Sequence, residues 1–239
     1  MVRQIQTVGT KKMKPEAISS VRSNQSDIHE DLLITVKKHL RSTWQEPIPE
    51  HTRVAADEII SLVNSHTGPL ILDSFCGTGM STAKLAKQFP EALVIGIDKS
   101  RDRLTKHVSG IETNYHLFRA SCEHTWAVLA QAGVRCHRHF LLYPNPWPKK
   151  SHLKRRIHGH PAFPLLKSLG GTVTLRSNWL TYVKEFAASM ALLDYRSEVS
   201  EIKPTDPLTL FERKYSANKE NLWQCEAIAD EDAGEDPQD

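Results

Sequence analysis

The stretch Tyr143-Pro-Asn-Pro-Trp-Pro-Lys-Lys-Ser-His-Leu-Lys-Arg-Arg-Ile157 joins a proline-locked turn to five cations within eight positions. Each proline fixes its own φ and biases the preceding residue toward extended geometry, so Asn145 and Trp147 are expected to stand out from the backbone. An amide held rigidly in the open can orient a reacting group. Lys149, Lys150, Lys154, Arg155 and Arg156 supply charge that grips phosphates without reading sequence, which makes nucleic acid the expected partner. The plainer alternatives are an asparagine that only closes its own turn and a cation run that is only a solvated face.

A second chemical segment lies upstream. Leu70-Ile-Leu-Asp-Ser-Phe-Cys-Gly-Thr-Gly-Met-Ser81 is a strand running into a glycine turn and then a helix, the place where an open parallel sheet binds a ligand. Gly77 and Gly79 let the backbone come close to that ligand. Asp98 ends the next strand, 19 residues past Gly79, where a carboxylate can accept from two ribose hydroxyls. A nicotinamide dinucleotide is the rival ligand, but Thr82 stands where its third glycine belongs, and a hydride site has no use for Trp147 and five cations.

The elements that must position these segments follow from the pattern. After Gly68, short apolar runs alternate with helical stretches: strand Pro69 to Asp73, helix Met80 to Phe89, strand Leu93 to Asp98. Further strands are predicted at Tyr115 to Arg119, His137 to Tyr143 and Gly171 to Arg176, with helices around His124 to Gln131 and from Trp179 to Leu193. This alternation means βαβ units and a parallel sheet. Tyr195 to Ile202 and Leu222 to Ile228 are expected to pair antiparallel across a loop from Pro204 to Tyr215. Before the sheet, Asp27 with Glu30 reads as a capping box opening a helix with Ile28, Leu32, Val36 and Leu40 inward. A second helix is expected from about Glu50 to Asn64, with Ala55, Ile59, Leu62 and Val63 inward.

The whole chain sets the bounds. Its 239 residues, 39% hydrophobic and 25% charged, are enough for one well-packed α/β domain. The predicted division is a basic, flexible arm over 1–26, a single domain over 27–228 whose first 40 residues (27–66) are N-terminal helices, and an acidic disordered tail over 229–239. That tail holds six acids and no base, so the net charge of +3 leaves +9 on the rest, which suits a polyanionic partner. No apolar run is long enough to span a bilayer, and the N-terminus has no apolar signal core, so a cytoplasmic location is expected. Four scattered cysteines without a C-x-x-C pair fit a reducing compartment. Cys136, His137 and His139, or His152, His158 and His160, match no standard ligand spacing, and no metal is predicted.

With both segments in place, the chain resembles the bacterial tRNA (guanine-N7)-methyltransferase family. Pro144-Asn145-Pro146-Trp147, Lys149, His152 and Lys154-Arg155-Arg156 follow its Pro-Asp-Pro-Trp, Lys, His and Lys-Arg-Arg in order. Ser177-Asn178-Trp179 with Tyr182 is similar to its Thr-Asp-Trp and Tyr, and Thr209-Leu-Phe-Glu212 to its Thr-Lys-Phe-Glu. The resemblance covers about Leu70 to Tyr215. It implies a doubly wound, mostly parallel seven-stranded sheet of the Rossmann-like class I methyltransferase type, with one antiparallel C-terminal strand and an N-terminal helical extension.

It further implies S-adenosyl-L-methionine as methyl donor, held by Asp73, Cys76, Gly77, Gly79, Asp98, Ser121, Glu123 and Asn145. The implied acceptor is N7 of a guanine in tRNA. Asn145 and Asn178 take the catalytic positions. Substrate contacts fall on Trp147, Lys149, Lys150, His152, Lys154, Arg155, Arg156, Asn178, Thr209 and Glu212. Asn145 and Asn178 replace aspartates of the family pattern, Leu210 replaces a lysine, and Ser121 replaces an acid on the adenine side for which Glu123 is the stand-in. An amide offers one acceptor oxygen and no charge where a carboxylate offers two. The alternatives are therefore an RNA exocyclic-amine methyltransferase, which uses an Asn carbonyl, and a non-catalytic paralogue that binds tRNA or S-adenosylmethionine. Methylation of a small molecule remains a third.

Overall fold

The structure, a computed structural model, describes Val21 and residues 23–230. Most of the predicted arm (1–20 and 22) and most of the acidic tail (231–239) lie outside the described residues. Ser23 donates from its hydroxyl to the Pro148 carbonyl at 2.7 Å, and Gln25 is buried, so these two residues sit on the body of the protein.

Two helices precede the sheet. α1 (Leu32–Leu40) buries Leu32 and Val36. It begins five residues later than Asp27, which instead accepts from the neighbouring Ile28 N–H, and the expected inward residues Ile28 and Leu40 are exposed. The Asp27/Glu30 capping box is therefore not formed. α2 (Glu50–Ser65) buries Ala55 and Ile59 as expected and starts behind Pro49, whose fixed φ suits that position.

The alternating core then runs β1 (Leu70–Ser74), α3 (Met80–Gln88), β2 (Leu93–Asp98), a four-residue α4 (Arg101–Leu104), β3 (Tyr115–Arg119), α5 (Cys122–Gln131) and β4 (Arg138–Leu142). A 3-10 helix over Lys150–Arg155, α6 (Leu165–Leu169), β5 (Thr172–Ser177), α7 (Leu180–Met190), β6 (Tyr195–Ile202), α8 (Leu210–Ala217) and β7 (Leu222–Ala229) follow. The strands form one sheet in the order β3-β2-β1-β4-β5-β7-β6. All neighbours from β3 through β5 are parallel, and β7 alone runs against its two neighbours.

Each strand feeds both faces, because successive side chains point to opposite sides. In β1 and β2, Leu70, Leu72, Leu93, Ile95 and Ile97 join the larger core under α1, α2, α5 and α7, together with Ile59, Trp126, Leu129 and Phe186. Ile71 and Val94 join the smaller core with Leu85 and Ala86 of α3 and Phe140 and Leu142 of β4. This two-sided burial explains why β1 and β2 are continuous apolar runs. The order reverses between β1 and β4, so the loops after these strands diverge and leave a crevice at their carboxyl ends.

The loop expected from Pro204 to Tyr215 contains α8. Thr209 caps it, its hydroxyl accepting from the Glu212 N–H at 3.0 Å. No helix among the described residues is long and apolar enough to cross a membrane.

Candidate active site

The crevice is a cavity of about 790 Å³. The glycine turn forms one wall with Phe75, Cys76, Gly77 and Thr78, and the turn after β4 forms another with Tyr143, Pro144, Asn145 and Trp147. Glu123 from α5 and Thr209, Leu210 and Phe211 at the start of α8 close the sides. The two segments singled out by sequence therefore share one space, although 66 positions separate Gly79 from Asn145.

Backbone strain gathers here. Five described non-glycine residues have positive φ, and three of them, Phe75 (62°), Tyr143 (54°) and Trp147 (46°), line this cavity. Each costs about 1–3 kcal/mol and persists only where its surroundings impose it. Around Tyr143 those surroundings are visible. Its hydroxyl donates to Glu212 Oε1 at 3.0 Å, and Arg176 donates to the same oxygen at 2.8 Å. The Leu208 N–H donates to the other carboxylate oxygen, Oε2. Burial and the Glu212 charge push the Tyr143 hydroxyl upward, so it stays a donor.

Trp147 departs from the extended geometry that Pro148 implies. Its left-handed backbone is held by the Arg156 guanidinium, which donates to its carbonyl at 3.2 Å. The Arg155 guanidinium covers its ring at 4.9 Å, and His152 meets it edge-on. Asn145 is exposed, and its carbonyl oxygen accepts from the Trp147 N–H at a long 3.4 Å, leaving the amide NH₂ as its free face.

The glycine turn is built for close approach. Gly77 (φ 63°) would place a Cβ with no atom within 4 Å, in open cavity, whereas a Cβ at Gly79 (φ 74°) would meet Leu117 at 2.5 Å. The Gly77 N–H donates to Asp98 Oδ2 at 2.9 Å, and Ser100 N–H to Oδ1 at 2.7 Å. Arg103 adds an ion pair to Oδ2 at 3.1 Å, so Asp98 sits directly behind the turn with acceptor capacity remaining. Asp73 is fully buried; Ser81 and Thr82 donate to Oδ2 at 2.6 and 2.7 Å, while Oδ1 has no partner. Burial pushes its carboxyl up to about 6 in spite of those two bonds. Ser121 lies behind Glu123, donating to Oε2 at 3.0 Å, and only Glu123 reaches the cavity.

Three residues assigned to substrate contact by the resemblance are placed elsewhere. Arg156 has 0% exposure; it donates to Glu185 at 2.5 Å and to Gln25 at 3.0 Å, and lies 5.0 Å over the Trp179 ring, so it cannot grip a phosphate. Glu212 is equally buried and serves as the Tyr143 buttress. Asn178, given a catalytic position, does not line the cavity; its amide donates to Glu220 at 2.9 Å. Lys149, Lys150, Lys154 and Arg155 are exposed, as a phosphate surface requires, and His152 is half-buried beside Trp147.

Other lining residues carry no strong sequence signal. Phe211 is half exposed on the cavity wall and extends an aromatic series from Tyr143 through Tyr215, which it stacks at 6.1 Å. Its resemblance block, Thr209-Leu-Phe-Glu212, was the one available pointer. Lys99, Arg103, Lys106 and Lys214 also reach the cavity, scattered through segments of mixed charge.

A doubly wound sheet with a ligand turn after β1, facing a second rigid turn after β4, is the arrangement of a Rossmann-like transferase. A family model described as "Putative methyltransferase" matches residues 67–225, and the chain belongs to that family. It is 27% identical over 230 residues to a tRNA (guanine-N(7)-)-methyltransferase of Pseudoalteromonas atlantica, covering 89% of this chain and 95% of the relative. A Geobacillus kaustophilus protein with the same name is 26% identical, over 76% and 87%. Among solved structures, the fold is similar to the 16S rRNA (adenine(1408)-N(1))-methyltransferase from Catenulisporales acidiphilia, at a TM-score of 0.53 and 17% identity over 79% of this chain and 95% of that one. It is also similar to the 16S rRNA methyltransferase KamB, at 0.53 and 16% over 77% and 96%.

Proposed function

We propose that the chain is an S-adenosylmethionine-dependent methyltransferase of tRNA that modifies N7 of a guanine, and that it works in the cytoplasm. The observation that carries this reading is the single cavity between the Gly77 turn and Asn145. The residues fit the donor. The partnerless Asp73 oxygen suits an ammonium group, whose charge would restore the carboxylate that burial disfavours. Gly77 leaves room for a close ligand, Asp98 has acceptor capacity for ribose hydroxyls, and Glu123 occupies the adenine side.

When bound, S-adenosylmethionine supplies an electrophilic methyl group. Guanine N7 presents a lone pair and no proton, so the protein's task is orientation rather than base catalysis. Asn145 is suited to this, because its free NH₂ is a donor and the guanine edge beside N7 offers the O6 acceptor. The Thr209 hydroxyl accepts from Glu212 N–H and keeps its own proton to donate into the cavity. Phe211 provides a face for the base, while Glu212 holds Tyr143 and the start of α8 in register. Lys149, Lys150, Lys154 and Arg155 hold the RNA backbone. The exocyclic-amine alternative is disfavoured by the same amide, since its carbonyl is turned to the Trp147 N–H.

Mass spectrometry of nucleosides from tRNA incubated with the protein and methyl donor tests the proposal. The expected product is 7-methylguanosine. A methylated adenosine or an exocyclic methylamine would replace the acceptor assignment, and no methylated nucleoside despite binding of both ligands would end the enzyme reading.

A further inference from the structure

The cavity's own charge is opposed to its proposed ligand. Among the described residues that line it, five are cations (Lys99, Arg103, Lys106, Arg155 and Lys214) and one, Glu123, is an acid. S-adenosylmethionine carries a sulfonium and an ammonium against one carboxylate, and is therefore a net cation, whereas its demethylated product is net neutral. Asp73, buried behind the lining, answers the ammonium, but the cations on the lining still oppose the remaining positive charge and weaken binding unless a further counter-charge arrives with the ligand. Arg103 is balanced by Asp98 at 3.1 Å. Lys99 and Lys106 are exposed and form no ion pair among the described residues; Asp98, next to Lys99 in sequence, is buried and paired with Arg103, and Asp102, four residues before Lys106, is exposed on α4.

Lys99 directly follows β2 and Lys106 follows α4, on the side of the donor turn, and both line the cavity outside the Lys149 to Arg155 cluster. They are also mechanically joined to the ligand turn. His107, next to Lys106, bonds through Nδ1 to the Thr78 carbonyl at 2.8 Å and through Nε2 to the Tyr115 hydroxyl at 2.8 Å. A polyanion resting on Lys106 therefore lies one residue from a side chain that pins the Gly77 turn.

We infer that Lys99 and Lys106 are a second RNA-backbone contact, reached when the substrate strand crosses the cavity mouth, and that the phosphates laid there supply the counter-charge for the cationic methyl donor. This rests on the tRNA reading above. RNA and donor then bind with positive coupling, and by linkage each tightens the other by the same factor. The neutral product gains less from the phosphates, so RNA shifts the site's preference from product toward donor.

The test uses the full chain and the double variant K99A/K106A, with tRNA binding followed across a salt series and donor and product affinities measured by calorimetry with and without tRNA. The wild type is expected to bind the donor more tightly when tRNA is present, with a smaller effect on the product. In the variant, the slope of log affinity for tRNA against log salt should fall by roughly 2, because each lysine releases about one counter-ion. The coupling should shrink, while donor binding without RNA is retained or tightens. An unchanged salt slope and coupling in a variant that still binds and methylates tRNA would overturn this inference and leave the proposed function standing. A wild-type protein that does not bind tRNA would overturn both.

Discussion

The guanidinium of Arg156 lies 2.5 Å from the carboxylate of Glu185 with both side chains fully buried, and this pair anchors the turn that carries Asn145 and Trp147. Glu185 also accepts from Gln25 Nε2 at 2.6 Å, from His29 N–H at 2.9 Å and from His158 at 2.9 Å, which closes the network from the N-terminal segment to α7. Removing one partner leaves a buried charge uncompensated. Arg156→Ala is expected to lower stability by about 3–5 kcal/mol in urea unfolding. Its tRNA affinity, measured well below the unfolding midpoint, should change less than that of Arg155→Ala. A small stability loss with a large loss of RNA binding would place Arg156 on the surface.

Acid should act on the fold through named groups. Burial alone would raise the Glu185 carboxyl, but bonds from His158 and Gln25 and the Arg156 charge outweigh it and bring it down to about 2. Its contribution is present above about 4.5, its ordinary value, and is lost as pH falls toward 2. His139, buried against Ser74 at 2.8 Å, is brought down to about 3 by desolvation, so its neutral form costs stability as pH falls from about 6.5 toward 3. Asp73 works in the opposite sense, since a carboxyl raised to about 6 makes the fold more stable as pH drops from 6 toward 3.8. His139→Gln should therefore lose less stability than the wild type between pH 6 and 5, with the Asp73 gain set against the buried His158, which burial also brings down. Urea midpoints that fall over this range as steeply as the wild type's would contradict the assignment.

Asp98 has two connected duties. It fixes the ligand turn through the Gly77 N–H at 2.9 Å and is the proposed acceptor for ribose hydroxyls. Asp98→Ala should weaken S-adenosylmethionine binding by roughly tenfold or more, the scale of a lost charged hydrogen bond. Calorimetry with unchanged affinity would put the donor elsewhere.

Phe211 is expected to act on the acceptor and not on the donor. Base–aromatic stacking contributes about 1–3 kcal/mol, so Phe211→Ala should cut kcat/KM for tRNA roughly 5- to 150-fold. Phe211→Tyr should restore most of it, and donor affinity should stay constant in both. Full activity in Phe211→Ala would assign the base-holding face to Trp147 instead.

The parts legible in sequence are those governed by local pattern. Leu93–Asp98 and Tyr115–Arg119 form strands with the expected bounds, because each is an extended run closed by polar residues. The two cavity turns were legible because proline and glycine constrain the backbone whatever surrounds them. What distance in sequence hides was not legible. Arg156 looks the same as Arg155 in a run of cations; its burial depends on Glu185, 29 positions away, and Gln25, 131 positions away. The capping pattern that operates is Thr209 with Glu212, whereas Asp27 with Glu30 has the same spacing but lies before α1, which starts at Leu32. Trp147 adopts a left-handed backbone that the following proline disfavours because a buried guanidinium holds its carbonyl.

The reversed strand β7, inserted between β5 and β6, gives the catalytic crevice two separate origins. The glycine turn, Asp98 and Glu123, proposed to hold the donor, all precede β4 in the chain, whereas Thr209 and Phe211 belong to the excursion between the last two strands. In the proposed function, the face offered to the nucleobase by Thr209 and Phe211 is thus the last part of the cavity to be made, laid against the donor turn and Asn145, which precede it in the chain.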